Sequence, residues 1–210
     1  MTLKRTFVAA SAAGTILAAS AFAMAQTTTK TGYAPVNGLK LYYEVRGSGQ
    51  PLIVLHGGLQ NTEVIADFLQ EAAKNRQVIA VDLQGHGRTA DIDRPITLEA
   101  MADDIAALMK YLGIEKADVM GYSLGGGTAL QTAIRHPALV RKLVLVSTVF
   151  KRDGWYPEGL AQMDQFGPQA AEMMKPSPIY KSYARIAPHP EDFPRLLGKM
   201  GDLLRKDYDW

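Results

Sequence analysis

The sequence contains no cysteine. That excludes disulfides, thiol nucleophiles and cysteine-ligated metal sites. Histidine is scarce as well: His56, His86, His136 and His189 are the only four in 210 residues. None stands at ligand spacing from another, so no metal and no cofactor are expected. An excess of charge is also missing. The formal net charge is +2, from 23 Lys and Arg against 21 Asp and Glu. Lys4 and Arg5 make up that excess, because residues 1–25 hold two bases and no acid, so the remainder is neutral. A neutral chain has no electrostatic footprint for nucleic acid or an anionic membrane.

What is present begins with the leader, "MTLKRTFVAASAAGTILAASAFAMAQ". Two bases precede an Ala-rich apolar run that ends in the small-x-small site Ala23-Met24-Ala25. The pattern predicts a secretory signal over residues 1–25, cleaved after Ala25. The mature chain is then expected in the periplasm or outside the cell, with no stable membrane association. Beyond the leader, no segment is apolar enough to span a bilayer as a helix.

From residue 26 to about 150 short apolar runs alternate with helical patterns. "TTTKTG" (27–32) reads as a polar leader and "LKLYYEVRG" (39–47) as a strand with one wet face. "PLIVLHGG" (51–58), "QVIAVDL" (77–83), "ADVMGY" (117–122) and "RKLVLVST" (141–148) read as strands of a parallel sheet. Between them, residues 61–74 look helical. Thr97 is a candidate N-cap for a helix with Leu98, Met101, Ile105, Leu108 and Leu112 on one stripe. A further helix runs from 124 to 135 and stops at His136-Pro137. This is an α/β domain with a mainly parallel sheet and flanking helices. Residues 151–210 abandon the alternation for helical pieces rich in Met and aromatics, which read first as that segment's own core. Placed above a parallel sheet, they form a helical lid over the strand ends where ligands bind.

The chemistry is concentrated in "DVMGYSLGGGTAL" (118–130). Gly121-Tyr122-Ser123-Leu124-Gly125 falls where a buried strand turns into a helix, the setting of a nucleophile elbow. A serine in such a turn is exposed at the strand's C-terminal edge, and its neighbours must lack bulk because strand and helix nearly touch. The helix start also aims the Leu124 N–H where an oxyanion would develop.

Together with "HGG" (56–58) and "DLQGHG" (82–87), this order and spacing resembles the α/β-hydrolase superfamily, in its lidded serine hydrolase or esterase form, from about residue 33 onward. The resemblance implies Ser123 as nucleophile and the Gly58 and Leu124 N–H groups as the oxyanion hole. It makes His56 a structural residue of the turn and His86 a variable loop position. The implied substrate is a small ester-like molecule; the Met and aromatic content of 151–210 favours a medium-sized, largely apolar acyl or aryl ester. Perhydrolase, C–C hydrolase and acyltransferase activities would use the same residues. Dehalogenases and epoxide hydrolases carry Asp at the position of Ser123.

In this family an acid and then a histidine follow the nucleophile in the chain. After Ser123 only His136 and His189 remain, with Asp153 as a candidate acid. His136 ends the helix that Ser123 begins. The sequence therefore reads as the N-terminal part of such a hydrolase, lacking its last strands, acid and base. A non-catalytic binding module is the alternative from another class.

Overall fold

A computed structural model describes residues 29–210. The expected signal sequence lies outside these residues. The strands are β1 (Lys30–Val36), β2 (Leu39–Arg46), β3 (Pro51–Leu55), β4 (Gln77–Val81), β5 (Ala117–Tyr122) and β6 (Val140–Val146). They form one sheet in the order β1-β2-β4-β3-β5-β6. β3 through β6 are joined by parallel pairings, while β1 and β2 add antiparallel strands at one side.

β1 corrects the reading of 27–32 as a leader, since Lys30–Val36 pairs along β2. The cause is the two-residue turn Asn37-Gly38, where both residues have positive φ (46° and 86°). An Asn-Gly turn of this kind matches the twist of a hairpin and sets its register.

Alternation along the central strands sends side chains into two cores. Leu52, Val54, Val78 and Ala80 meet Leu69 of helix α1 (Ala66–Ala72) on one face. Ile53, Leu55, Ile79, Val81 and Val119 meet α2 (Leu98–Tyr111) on the other. Both faces are dry, so these strands read as continuous apolar runs. α1 is shorter than expected because the Asn61 side chain accepts from the Glu63 and Val64 N–H groups (3.0 and 3.3 Å) and holds a turn before it. Thr97 caps α2 as expected, accepting from the Ala100 N–H at 3.0 Å.

The connections fix where a ligand can sit. β3 leads through α1 to β4 on one side, and β5 leads through α3 (Leu124–Arg135) to β6 on the other. The chain therefore switches direction between β3 and β5, which opens a crevice at their C-terminal ends. β6 is the edge strand, and Val144, Leu145 and Val146 are 38–44% exposed.

Over that crevice lie α4 (Pro157–Gln165), α5 (Ala171–Met174), α6 (Pro178–Ile186) and α7 (Phe193–Arg205). They do not build a separate core, as the composition had implied. Phe193, Leu196, Leu197 and Met200 of α7 are buried in the same cluster as α2 and the sheet. Lys199 secures α7 to the loop after β4, bonding the Asp91 carboxylate and the Ile92 and Arg94 carbonyls at 2.7 Å each.

Candidate active site

Ser123 stands between β5 and α3 with φ 51° and ψ −113°, a conformation that L-residues rarely hold. Its own N–H donates to the Val146 carbonyl (2.9 Å) and its carbonyl accepts from Gly127 (3.0 Å), so both neighbouring elements clamp the turn. The surrounding glycines are steric necessities. A Cβ on Gly121 would lie 2.0 Å from the Gly125 carbonyl oxygen, and one on Gly125 would lie 2.4 Å from that of Leu55. Gly126 clears Thr148 at the end of β6. A Cβ on Gly127 would lie 2.9 Å from the Leu98 side chain, so that glycine makes room for α2.

The loop after β3 lies alongside. Gly58 approaches Leu124, whose Cβ would be 3.8 Å from a Cβ built on that glycine. Leu124 is the first residue of α3, so its N–H has no partner within the helix. Gln60, which sequence reasoning missed, accepts from the Gly57 N–H (3.2 Å) and holds this loop. Nothing in its local pattern marks it out.

Ser123, Gly58 and Leu124 all border one cavity of about 230 Å³. Its walls are Leu98 of α2, Met163 of α4, Phe166, and Met200, Leu203 and Leu204 of α7. Trp155, Tyr208 and Trp210 complete it; the Tyr208 hydroxyl accepts from the Trp155 indole N–H at 2.9 Å. Among the described residues, no Asp, Glu, His, Lys or Arg lines this space.

The histidines are elsewhere. His56 is fully buried, with Nδ1 donating to the Gly57 carbonyl (2.7 Å) and Nε2 accepting from the Leu83 N–H (3.1 Å). Both nitrogens are engaged by backbone, and burial pushes its pKa down to about 4. His86 lies in the loop after β4, as expected, but its side chain does not face solvent. It is fully buried, 5.3 Å from the His56 ring, with Nδ1 bonded to the Gln84 carbonyl (2.8 Å). Burial and the neighbouring His56 lower its pKa to about 3. His136 closes the 12-residue α3 and bonds Asp103 (2.8 Å), roughly 18 Å along the helix from Ser123. His189 is exposed and borders a different small cavity, with Gly85, Asp91 and Asp192. Asp153 is exposed and paired with Lys151 at 3.0 Å. The structure thus brings together Ser123, Gly58 and Leu124, and leaves His136, His189 and Asp153 outside their cavity.

Residues 50–197 match the family described as alpha/beta hydrolase fold, and the chain belongs to it. It is 35% identical over 144 residues to 2-hydroxymuconate semialdehyde hydrolase of Pseudomonas sp. (strain CF600), covering 66% of this chain and 50% of that one. It is 41% identical over 110 residues to the pimeloyl-[acyl-carrier protein] methyl ester esterase of Neisseria meningitidis serogroup A (51% of this chain, 34% of that one). Among solved structures, E-2-(acetamidomethylene)succinate hydrolase superposes with a TM-score of 0.67 at 21% identity, covering 86% of this chain and 75% of that chain. The chain spans half or less of the length of these two curated relatives. The two curated relatives are named as a hydrolase and an esterase, and the superposition extends the shared fold over most of the described chain.

Proposed function

We propose that the protein is a serine hydrolase of carboxylic esters, with Ser123 as nucleophile and the Gly58 and Leu124 N–H groups as the oxyanion hole. One observation carries this reading: a serine held at positive φ between β5 and α3 borders an apolar cavity beside the Gly58 loop. No packing requirement explains a strained serine there, whereas exposure of Oγ at a strand end does.

In the step proposed, Ser123 Oγ adds to the ester carbonyl carbon and its proton passes to solvent, to hydroxide at raised pH. The carbonyl oxygen becomes an oxyanion facing two backbone donors. Collapse expels the alcohol and leaves an acyl-serine, which water then cleaves to the acid. An esterase stands among the relatives beside a semialdehyde hydrolase, and the ester is the substrate class proposed here. Residues 151–210 act as the lid, and export through residues 1–25 places the enzyme in the periplasm or outside the cell.

No described side chain is placed to take the Ser123 proton. Turnover by the 210-residue chain is therefore expected to be residual, at the level that binding and oxyanion donors alone supply. The decisive test is covalent. At pH 9, where hydroxide can take the proton, a fluorophosphonate should modify the peptide containing Ser123, read by mass spectrometry. The absence of cysteine removes thiol background. An adduct elsewhere, or none, sinks the nucleophile assignment.

A further inference from the structure

We propose that the cavity selects uncharged acyl groups and rejects those carrying a carboxylate of their own, an inference that rests on Ser123 being the nucleophile that borders it. The fold does not dictate this, because hydrolases of one architecture take very different substrates. The walls of this particular cavity do.

The cations nearest the cavity walls are already engaged. Arg152 is tied through its backbone to Tyr208 (3.0 Å) and Trp155 (3.2 Å), but its Nη2 bonds Asp164 (2.6 Å) and its Nε the Leu204 carbonyl (3.3 Å). Arg205 follows Leu204 on α7, yet it bonds the Phe166 carbonyl (2.7 Å) and Asp202 (2.8 Å). Lys199 precedes Met200 and is spent on Asp91 and two carbonyls. Each of these three bases is thus already engaged by a carboxylate and by backbone carbonyls, and none of them lines the cavity. The polar groups that do border it are the Ser123, Thr148 and Tyr208 hydroxyls, together with the Trp155 indole N–H and backbone. The Tyr208 hydroxyl is already engaged by that indole.

A carboxylate entering this space would lose its hydration and meet no countercharge. A buried carboxylate without a partner is strongly disfavoured. An alkyl or aryl acyl group instead exchanges water for Met, Leu and Phe surface, which is favourable in proportion to the area covered. A volume of about 230 Å³ lies below the range of about 300–1,000 Å³ usual for drug-sized ligands, so the acyl group is also small.

The experiment uses the protein's own reporters. Trp155 and Trp210 are the only tryptophans in the chain, and both line the cavity. In the Ser123→Ala variant, which cannot be acylated there, tryptophan fluorescence is titrated with methyl hexanoate and with monomethyl adipate. The two have acyl chains of equal length and differ by a terminal carboxylate. The expected result is at least about tenfold tighter binding of methyl hexanoate. A Met163→Arg variant, on the half-exposed side of α4, should close most of that gap by supplying a cation. Equal or tighter binding of monomethyl adipate to the Ser123→Ala protein overturns the inference, and so does the lack of any response to either ester. The fluorophosphonate test keeps the two readings apart. Adduct at Ser123 with an anion-tolerant cavity sinks only the charge selection, while a neutral-selective cavity without adduct sinks only the nucleophile.

Discussion

Two groups of polar residues lie under the same helical layer, and they are built on opposite plans. At the ends of β2 and β4, buried charges are crowded together and paired. Glu44 accepts from Tyr42 (3.0 Å), Arg46 (2.6 Å) and Thr62 (3.3 Å). Asp82, with no exposed surface, accepts from the Thr62 and Arg88 N–H groups (2.7 and 2.9 Å). Arg88 lies 4.9 Å over the Tyr42 ring and pairs with Glu63, which also binds Arg185 of α6. At the end of β5, by contrast, a single serine faces an apolar cavity with no Asp, Glu, His, Lys or Arg on its walls among the described residues. The lesson is that residue types suited to catalysis are here used for structure. His56, His86 and Asp82 hold the loops, and the site is the place where such groups are absent.

Three changes would break or sharpen this contrast. The largest effect is expected at the site's own scaffold. Gly125→Ala puts a methyl group against the Leu55 and His56 carbonyls, at 2.4 and 2.6 Å. Neither backbone can yield without disturbing β3, so a loss of about 3–5 kcal/mol in urea unfolding is expected. A variant as stable as the parent would mean that strand and helix are not in contact there.

The second probes the paired side through pH. In the folded chain His56 and His86 are held neutral down to about 4 and about 3. In the unfolded chain they take up protons near the ordinary value of about 6.5. Across that interval the unfolded state binds more protons, so stability is intact above pH ~6.5 and declines as pH falls through the window. Burial raises the pKa of Asp82 and Asp104, and both work in the opposite sense. Urea midpoints should fall steadily from pH 7 to pH 4.5, and a flat profile would show that the two rings are hydrated.

The smallest effect is expected at Ser123 itself. Glycine accepts φ 51° without penalty, so Ser123→Gly should gain about 1 kcal/mol while losing the fluorophosphonate adduct. A destabilised Ser123→Gly protein would instead make the serine a packing residue, with no strain held for function.

The two edges of the sheet carry a related contrast. β1 includes Lys30 and Pro35, and a proline offers no N–H to a neighbouring strand. β6 presents Val144, Leu145 and Val146 part-exposed at an edge that no strand pairs with among the described residues. An edge of that kind is a template for another strand.

How much of this was legible follows from how local each feature is. The elbow was readable because its demands fall within five consecutive residues: a strand, a serine, and glycines wherever a Cβ would strike backbone. The Thr97 cap was readable for the same reason. The β1–β2 hairpin carried its signal in Asn37-Gly38, but the polar start of β1 masked it. The glycines of "DLQGHG" showed a tight strand exit without showing its purpose. Only the folded chain reveals that a Cβ on Gly87 would lie 2.3 Å from the Asp82 carboxylate, so the loop wraps that acid.

By itself, then, the sequence determined the family, the strand-to-helix elbow and the placing of Ser123 with Gly58 and Leu124 near one another. Those rest on short-range rules of backbone sterics and apolar periodicity. The tertiary structure alone decided that His56 and His86 are buried partners of backbone and that α7 shares the main core. It also decided that the bases near the cavity walls are engaged by carboxylates and backbone carbonyls instead of lining the cavity. Each of these depends on which distant segments meet, and solvation and charge pairing are set by that meeting rather than by any residue's neighbours in the chain.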